Sequence, residues 1–89
     1  MHALVNVLVY TTPTCPYCHA TKNFLRNLGV PFREVDVSTD PKAARDLIIK
    51  SGQMGVPVID IDGEIIVGFD RESIISALRR RGVIISRQL

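Results

Sequence analysis

The sequence has no tryptophan, only two cysteines and no apolar run long enough to cross a lipid bilayer. Its first apolar stretch, Leu4–Tyr10, is far shorter than the roughly 20 residues of a membrane-spanning helix. There is no N-terminal apolar region with a cleavage site, and two cysteines three positions apart cannot supply the several bridges of small secreted domains. We therefore expect a cytoplasmic protein with no membrane among its partners.

An excess of charge of one sign is also lacking. The 11 basic and 9 acidic residues leave a net charge of +2, which is too small for the basic surface that nucleic-acid binding requires. The one cationic run, Arg79–Arg81, falls where a helix should end, and attraction to the carbonyl end of that helix explains it. We expect no nucleic-acid partner.

The size and composition predict one compact domain spanning residues 1–89. The 89 residues are 46% apolar and 22% charged, and they contain no repeat, linker or low-complexity segment. A chain of this length buries one modest core, so a reactive site should lie at an exposed edge. Residues 83–89 are a C-terminal tail for which three arrangements are open: packing across the last helix, an added edge strand, or contact with a partner. We favour packing. We expect a monomer.

The first half of the chain has the pattern of a strand, a helix and a parallel strand. Leu4–Tyr10 is typical of a strand that is covered on both faces, and Phe32–Val37 is a second strand. Between them, Pro16 suits the first position of a helix that ends at Gly29. Residues with helical spacing mark one face of this helix: Tyr17, Thr21, Phe24, Leu25 and Leu28.

The second half predicts a helix, a hairpin and a final helix. Asp40 and Pro41 can start a helix that ends at Ser51 and Gly52, with Ala44, Leu47 and Ile48 on its apolar face. Asp62 and Gly63 favour a two-residue turn between antiparallel strands at Pro57–Ile61 and Glu64–Val67. Asp70 can cap a third helix that ends at Gly82, with a core face formed by Ile74, Ile75 and Leu78. The predicted order is βαβαββα.

Two thiols, Cys15 and Cys18, lie where the first strand meets the first helix. Residues i and i+3 of a helical turn are about 5–6 Å apart, which is within the range that a disulfide requires. Cys15 should be the nucleophile, because unpaired amides and the positive end of the helix dipole stabilise a thiolate at a helix start. Cys18, one turn further along, suits the resolving role.

Two other interpretations of the cysteines are weaker. A buried structural pair would not need a loop–helix junction with Pro16 between its members. A zinc site would need two further ligands, for which the chain offers His19 and the remote His2. A CxxC motif beside a βαβ pattern instead indicates redox chemistry, with no bound metal.

Over residues 4–80 the sequence resembles the glutaredoxins. The resemblance depends on four features: the Cys-Pro-Tyr-Cys-His motif of residues 15–19, the basic Lys22, the segment Gly55–Pro57, and Gly68–Asp70 before the last helix. Thioredoxins are less similar, because they carry Trp before a Cys-Gly-Pro-Cys motif. The resemblance implies an α/β, thioredoxin-like fold with a four-stranded mixed sheet of order 2-1-3-4, flanked by three helices.

The resemblance also implies a glutathione or substrate groove. Val56 would offer its backbone to the substrate beside a cis Pro57, and Phe69 with Asp70 would hold the γ-glutamyl end of glutathione. Tyr17 would line the groove. Each has a simpler interpretation: a strand-start proline, an ordinary N-cap, and an aromatic ring that covers the helix edge.

Some positions depart from the family pattern. Thr12 stands where many glutaredoxins have a Lys that contacts glutathione, and Gly55 stands where they often have Thr. Gln53 is a candidate to replace part of the lost polar contact. Lys22 and His19 are candidate cations near the thiols, although each has an alternative as a solvated surface residue.

The implied function is a dithiol oxidoreductase that reduces protein disulfides and glutathione mixed disulfides. It needs no tightly bound cofactor, and glutathione is the expected reducing co-substrate. One alternative is a redoxin that thioredoxin reductase recycles and that serves ribonucleotide reductase. Another is a metal-binding or iron–sulfur module, against which Pro16 argues, because cluster-binding relatives usually have a smaller residue there.

Overall fold

The computed structural model describes residues 5–83, within which three helices flank one four-stranded sheet. The elements in chain order are β1 (Val7–Thr11), α1 (Pro16–Asn27), β2 (Arg33–Asp36), α2 (Pro41–Ser51), β3 (Val58–Ile61), β4 (Glu64–Val67) and α3 (Arg71–Arg80). The predicted order of elements is therefore confirmed, with ends that differ by a few residues.

The strand order is β2-β1-β3-β4, which confirms the order that the resemblance implied. β1 pairs in parallel with β2 and antiparallel with β3, and β3 pairs antiparallel with β4. β1 runs to Thr11, one residue past the predicted end, because Thr11 is still paired with Asp36 of β2. The loop that follows β1 carries the chain directly into α1.

Local sequence signals fix the turns and helix ends. The Asp40 side chain accepts a hydrogen bond from the Lys42 amide at the start of α2, and Gly52 ends that helix with a φ of 73°. Asp62 and Gly63 both have positive φ, 51° and 94°, which is the backbone that a two-residue hairpin turn requires. These signals are local, and sequence analysis therefore found them.

The sheet buries a separate apolar cluster on each face. α1 and α3 cover one face, where Leu25, Ile59 and Leu78 are fully buried. Among the helices of residues 5–83, only α2 covers the other face, where Leu47 packs with Tyr10 and Val58. Val83 packs against the first cluster; the rest of the predicted tail lies outside the described residues.

The predicted apolar face of α2 is wrong in part. Leu47 is buried as predicted, but Ala44 is only half-buried and Ile48 is 41% exposed. The second buried residue of the helix is Ala43, which was not predicted. A single helix that packs on an open sheet face buries only a narrow stripe of its own surface. Residues about one turn apart along the helix occupy that stripe. Ile48 lies at the border of that stripe.

Charged side chains tie both helical layers to the sheet. On the face of the sheet that α2 covers, Lys50 Nζ of that helix lies 2.7 Å from both Asp60 Oδ2 and Tyr10 Oη. Burial opposes protonation of Lys50, but its hydrogen bonds to Asp60 and Tyr10 raise its pKa. On the other side, Arg80 and Arg81 contact the Glu64 carboxylate of β4. Two of the three arginines at the end of α3 thus pair with a neighbouring strand.

Candidate active site

Cys15 is the N-cap residue of α1. Its backbone is extended, with φ −92° and ψ 112°, and Pro16 occupies the first helical turn. The Cys18 amide donates to Cys15 Sγ over 3.2 Å, so the sulfur takes the place that a Ser or Asp oxygen takes in most caps. Because this amide belongs to the positive end of the helix, the arrangement stabilises negative charge on a half-buried thiol.

Cys18 is fully buried on the core side of α1. Burial is the main cause that raises the pKa of the Cys18 thiol from 9.0 to about 12, and the hydrogen bond with Cys15 adds to it. The Thr12 backbone and the charge of Lys22 act in the opposite direction with smaller effect. The two thiols therefore differ in exposure, as their predicted roles require.

The loop before β3 closes over the nucleophile. The Val56–Pro57 peptide bond is cis, and the Val56 carbonyl oxygen lies 3.8 Å from Cys15 Sγ. The Pro57 carbonyl accepts a hydrogen bond from the Gly68 amide at 2.9 Å, which anchors the loop to the end of β4. The structure thus brings Cys15, Cys18 and Val56 together.

The other predicted groove residues lie on helix starts. Tyr17 is 67% exposed, so its ring is free to contact a ligand and does not belong to the core. Asp70 caps α3, and hydrogen bonds from Ser73 lower its pKa. The Phe69 ring meets Phe24 edge to face at 5.7 Å, which fixes the residue that precedes the cap.

The two candidate cations have partners of their own. Lys22 Nζ forms an ion pair with Glu34 at 2.7 Å, and the Thr11 hydroxyl donates to the same carboxylate at 2.9 Å. The hydrogen bonds from Lys22 and Thr11 lower the pKa of Glu34. His19 Nε2 lies 3.1 Å from the Pro13 carbonyl oxygen, across the loop that carries Cys15. Sequence analysis missed Glu34, because its partners come from β1 and α1.

Gln53 is turned toward its own loop. Its amide oxygen accepts from the Gly55 N–H at 2.6 Å, and its amide nitrogen donates to the Gly55 carbonyl at 3.0 Å. Both ends of the side-chain amide are therefore occupied within the loop. The local sequence does not predict the hydrogen bonds between Gln53 and Gly55, because these bonds depend on the path of the chain between α2 and β3.

The described part of the chain contains neither a metal-binding cluster nor a membrane-spanning helix. Within residues 5–83, His, Cys, Asp and Glu side chains form no group of three or more that could hold a metal ion. Over the same residues, no helix combines the length and the apolar character needed to traverse a bilayer.

The sheet order and the two cysteines at the start of α1 define a redox protein of the thioredoxin-like fold. A family model for glutaredoxin matches residues 7–66. The chain belongs to the glutaredoxin family.

Individual relatives agree with this assignment. The chain is 46% identical over 68 residues to a glutaredoxin-like 8.6 kDa protein in the rubredoxin operon of Clostridium pasteurianum, covering 76% of this chain and 91% of that protein. It is 40% identical over 67 residues to glutaredoxin 3 of Escherichia coli strain K12, covering 75% and 81%. Among solved structures, the glutaredoxin-like NrdH-redoxin from Escherichia coli, which has a thioredoxin-like activity profile, matches with a TM-score of 0.74 and 31% identity, covering 80% and 92%.

Proposed function

We propose that the protein is a dithiol oxidoreductase that reduces protein disulfides and glutathione mixed disulfides. The observation that supports this most directly is the asymmetry of the two thiols. Cys15 is half-buried and caps a helix beside the loop that carries Val56, whereas Cys18 is fully buried with a pKa raised to about 12. A nucleophile has to reach its substrate, and a resolving thiol has to stay out of reach until a mixed disulfide exists.

In the first step, the Cys15 thiolate attacks one sulfur of the substrate disulfide. The substrate S–S bond breaks, a mixed disulfide with Cys15 forms, and the other substrate sulfur leaves as a thiolate. The Cys18 amide, which holds Cys15 Sγ at 3.2 Å, stabilises the attacking anion before the reaction.

In the second step, Cys18 attacks Cys15 Sγ and expels the remaining substrate thiolate. Its proton passes to a departing thiolate, and the two electrons of the pair leave with the reduced substrate. The hydrogen bond and charge of Cys15 both raise the pKa of Cys18 in the reduced protein. The charge effect ends when Cys15 enters a disulfide, so formation of the mixed disulfide itself removes one cause of the raised pKa of Cys18.

Glutathione is the proposed reductant, and its groove would include Tyr17, Val56 and Asp70. The start of α3, beside the Asp70 cap, suits the γ-glutamyl carboxylate, because helix N-termini bind anions. A pair of thiols that must be restored to the reduced state also fits a cytoplasmic setting. The proposal requires no tightly bound cofactor.

The test uses two single-cysteine variants. Cys15→Ser should abolish all activity, because no other thiol is accessible. Cys18→Ser should lose reduction of protein disulfides yet keep some removal of glutathione from mixed disulfides, since a second glutathione can release the first from Cys15. Turnover in a coupled assay with glutathione and glutathione reductase measures both. Full activity of Cys15→Ser would contradict the proposal.

A second candidate is a redoxin that thioredoxin reductase recycles and that passes its electrons to ribonucleotide reductase. The charges near the site favour it: Thr12 is uncharged, and Lys22 is paired with Glu34. Glutathione carries two carboxylates that gain from free cations. The similarity to NrdH-redoxin points the same way. Turnover with thioredoxin reductase but none with glutathione would select this candidate.

A further inference from the structure

The segment Gly55–Pro57 offers a substrate very few free backbone groups. The Gly55 N–H and carbonyl are both bonded to the Gln53 side chain, and the Pro57 carbonyl accepts from Gly68. Proline has no N–H to offer. Within residues 5–83 the Val56 N–H has no hydrogen bond, and the Val56 carbonyl accepts only the weak, 3.8 Å hydrogen bond of the Cys15 thiol. That bond is lost when Cys15 ionises, so Val56 is the residue of this segment whose backbone is open to a substrate of the thiolate.

The Gln53 side chain is itself held in place. Its amide nitrogen also donates to Ser51 Oγ at 3.1 Å, and the Ser51 hydroxyl donates to the Leu47 carbonyl at 2.6 Å. These bonds connect the last turn of α2 to the loop above the nucleophile. The position of Gly55 thus depends on a rigid helix.

Because Gly55 has no side chain, the amide of Gln53 can lie where a Cβ atom of residue 55 would be. A Cβ atom at Gly55 would lie 2.7 Å from Gln53 Oε1, closer than real Cβ contacts allow. Gly55 is not among the glycines with positive φ, so its backbone does not itself require glycine. A side chain at position 55 would therefore displace the flexible amide of Gln53 rather than strain the backbone.

We propose that Gln53 is a positioning residue for peptide substrates. By bonding both backbone groups of Gly55, it leaves Val56 as the one docking point for the extended chain around a substrate disulfide. The substrate then pairs in a single register above Cys15, and the loop is ordered before binding. This inference rests on the proposed function, because it concerns how a disulfide reaches the Cys15 thiol.

The test compares a disulfide substrate that has peptide groups with one that has none. Pre-reduced protein is mixed with a short peptide that contains one internal disulfide, and separately with bis(2-hydroxyethyl) disulfide, which has no peptide groups. The second-order rate constants are measured in a single turnover, so no reductase is needed. Their ratio, peptide over small disulfide, reports backbone pairing at Val56.

Gln53→Ala and Gly55→Ala should each lower this ratio about five- to tenfold, which corresponds to the net contribution of one hydrogen bond or slightly more. The double variant should show the same loss as either single variant, because both changes remove the same pair of bonds. Asn23→Ala is the matched control: it removes an exposed side-chain amide, bonded to Arg26 within α1, and should keep the ratio.

Ratios within twofold of the unchanged protein in both single variants, or losses that add in the double variant, would overturn the role of Gln53. That result would leave the proposed function intact as long as the unchanged protein reduces both disulfides. An unchanged protein that reduces neither disulfide would overturn the proposed function and the role of Gln53 with it.

Discussion

The burial of Cys18 makes a quantitative prediction about its reactivity in the Cys15→Ser variant. In the folded protein the pKa of Cys18 rises from 9.0 to about 12. Near neutral pH, Cys18 therefore carries about a thousandfold less thiolate than a cysteine with a pKa of 9.0. Burial is the largest cause, and it remains when Cys15 is replaced. The smaller effect of the Cys15 thiol is removed, so we expect Cys18 to ionise well above 9.0 in this variant.

Two measurements check this expectation. Thiolate absorbance at about 240 nm follows ionisation as pH rises. Alkylation by iodoacetamide follows reactivity at neutral pH. The Cys18→Ser variant is the matched comparison, because its one thiol, Cys15, is half-buried rather than fully buried. We expect Cys15 to be alkylated at least about a hundredfold faster, since reaction requires both thiolate and access.

One result would refute the reasoning. If Cys18 in Cys15→Ser ionised at 9.0 or below, or were alkylated as fast as Cys15, burial would not protect it. The assignment of Cys18 as the resolving thiol would then lose its physical basis, and the two cysteines would have to be treated as equivalent nucleophiles.

Three further predictions follow from the same structure. The reduced protein should lose stability between about pH 9 and 12, because the unfolded chain releases the Cys18 proton there while the folded chain retains it; pH-dependent urea unfolding should show a smaller loss in Cys18→Ser. Asp60→Ala should cost about 2–4 kcal/mol of unfolding free energy, because Lys50 and the Gly63 amide lose a buried partner, whereas Asp46→Ala should cost much less. Thr12→Lys should speed glutathione-dependent turnover, measured in the coupled assay; an unchanged rate would argue against a glycine-carboxylate contact there.

Much of the fold was predictable because its signals are short-range. The cap at Asp40, the turn at Asp62 and Gly63, and the cysteine spacing each specify a local conformation that agrees with the final topology. Sheet order was different: it came from the resemblance to glutaredoxins, because spacing alone does not say which strand lies in the middle.

The parts that sequence analysis missed depend on neighbours distant in the chain or on the path of a loop. The ion pair of Lys22 with Glu34 requires the register of β1 against β2, and the exposure of Ile48 depends on having one helix on that sheet face. Gln53 was a candidate ligand contact until its amide was found bonded to Gly55. Candidate residues could thus be named in advance, whereas their hydrogen-bond partners could not.

The cap of α1 has a consequence for following the reaction. α2 and α3 begin at the carboxylates of Asp40 and Asp70, which redox chemistry does not alter, whereas α1 begins at the sulfur of Cys15. Each change at that sulfur, from thiolate to mixed disulfide to internal disulfide, alters the acceptor of the Cys18 amide. In an isotope-labelled sample, the chemical shift and solvent-exchange rate of that one amide would therefore record the oxidation state of the protein, without any attached probe.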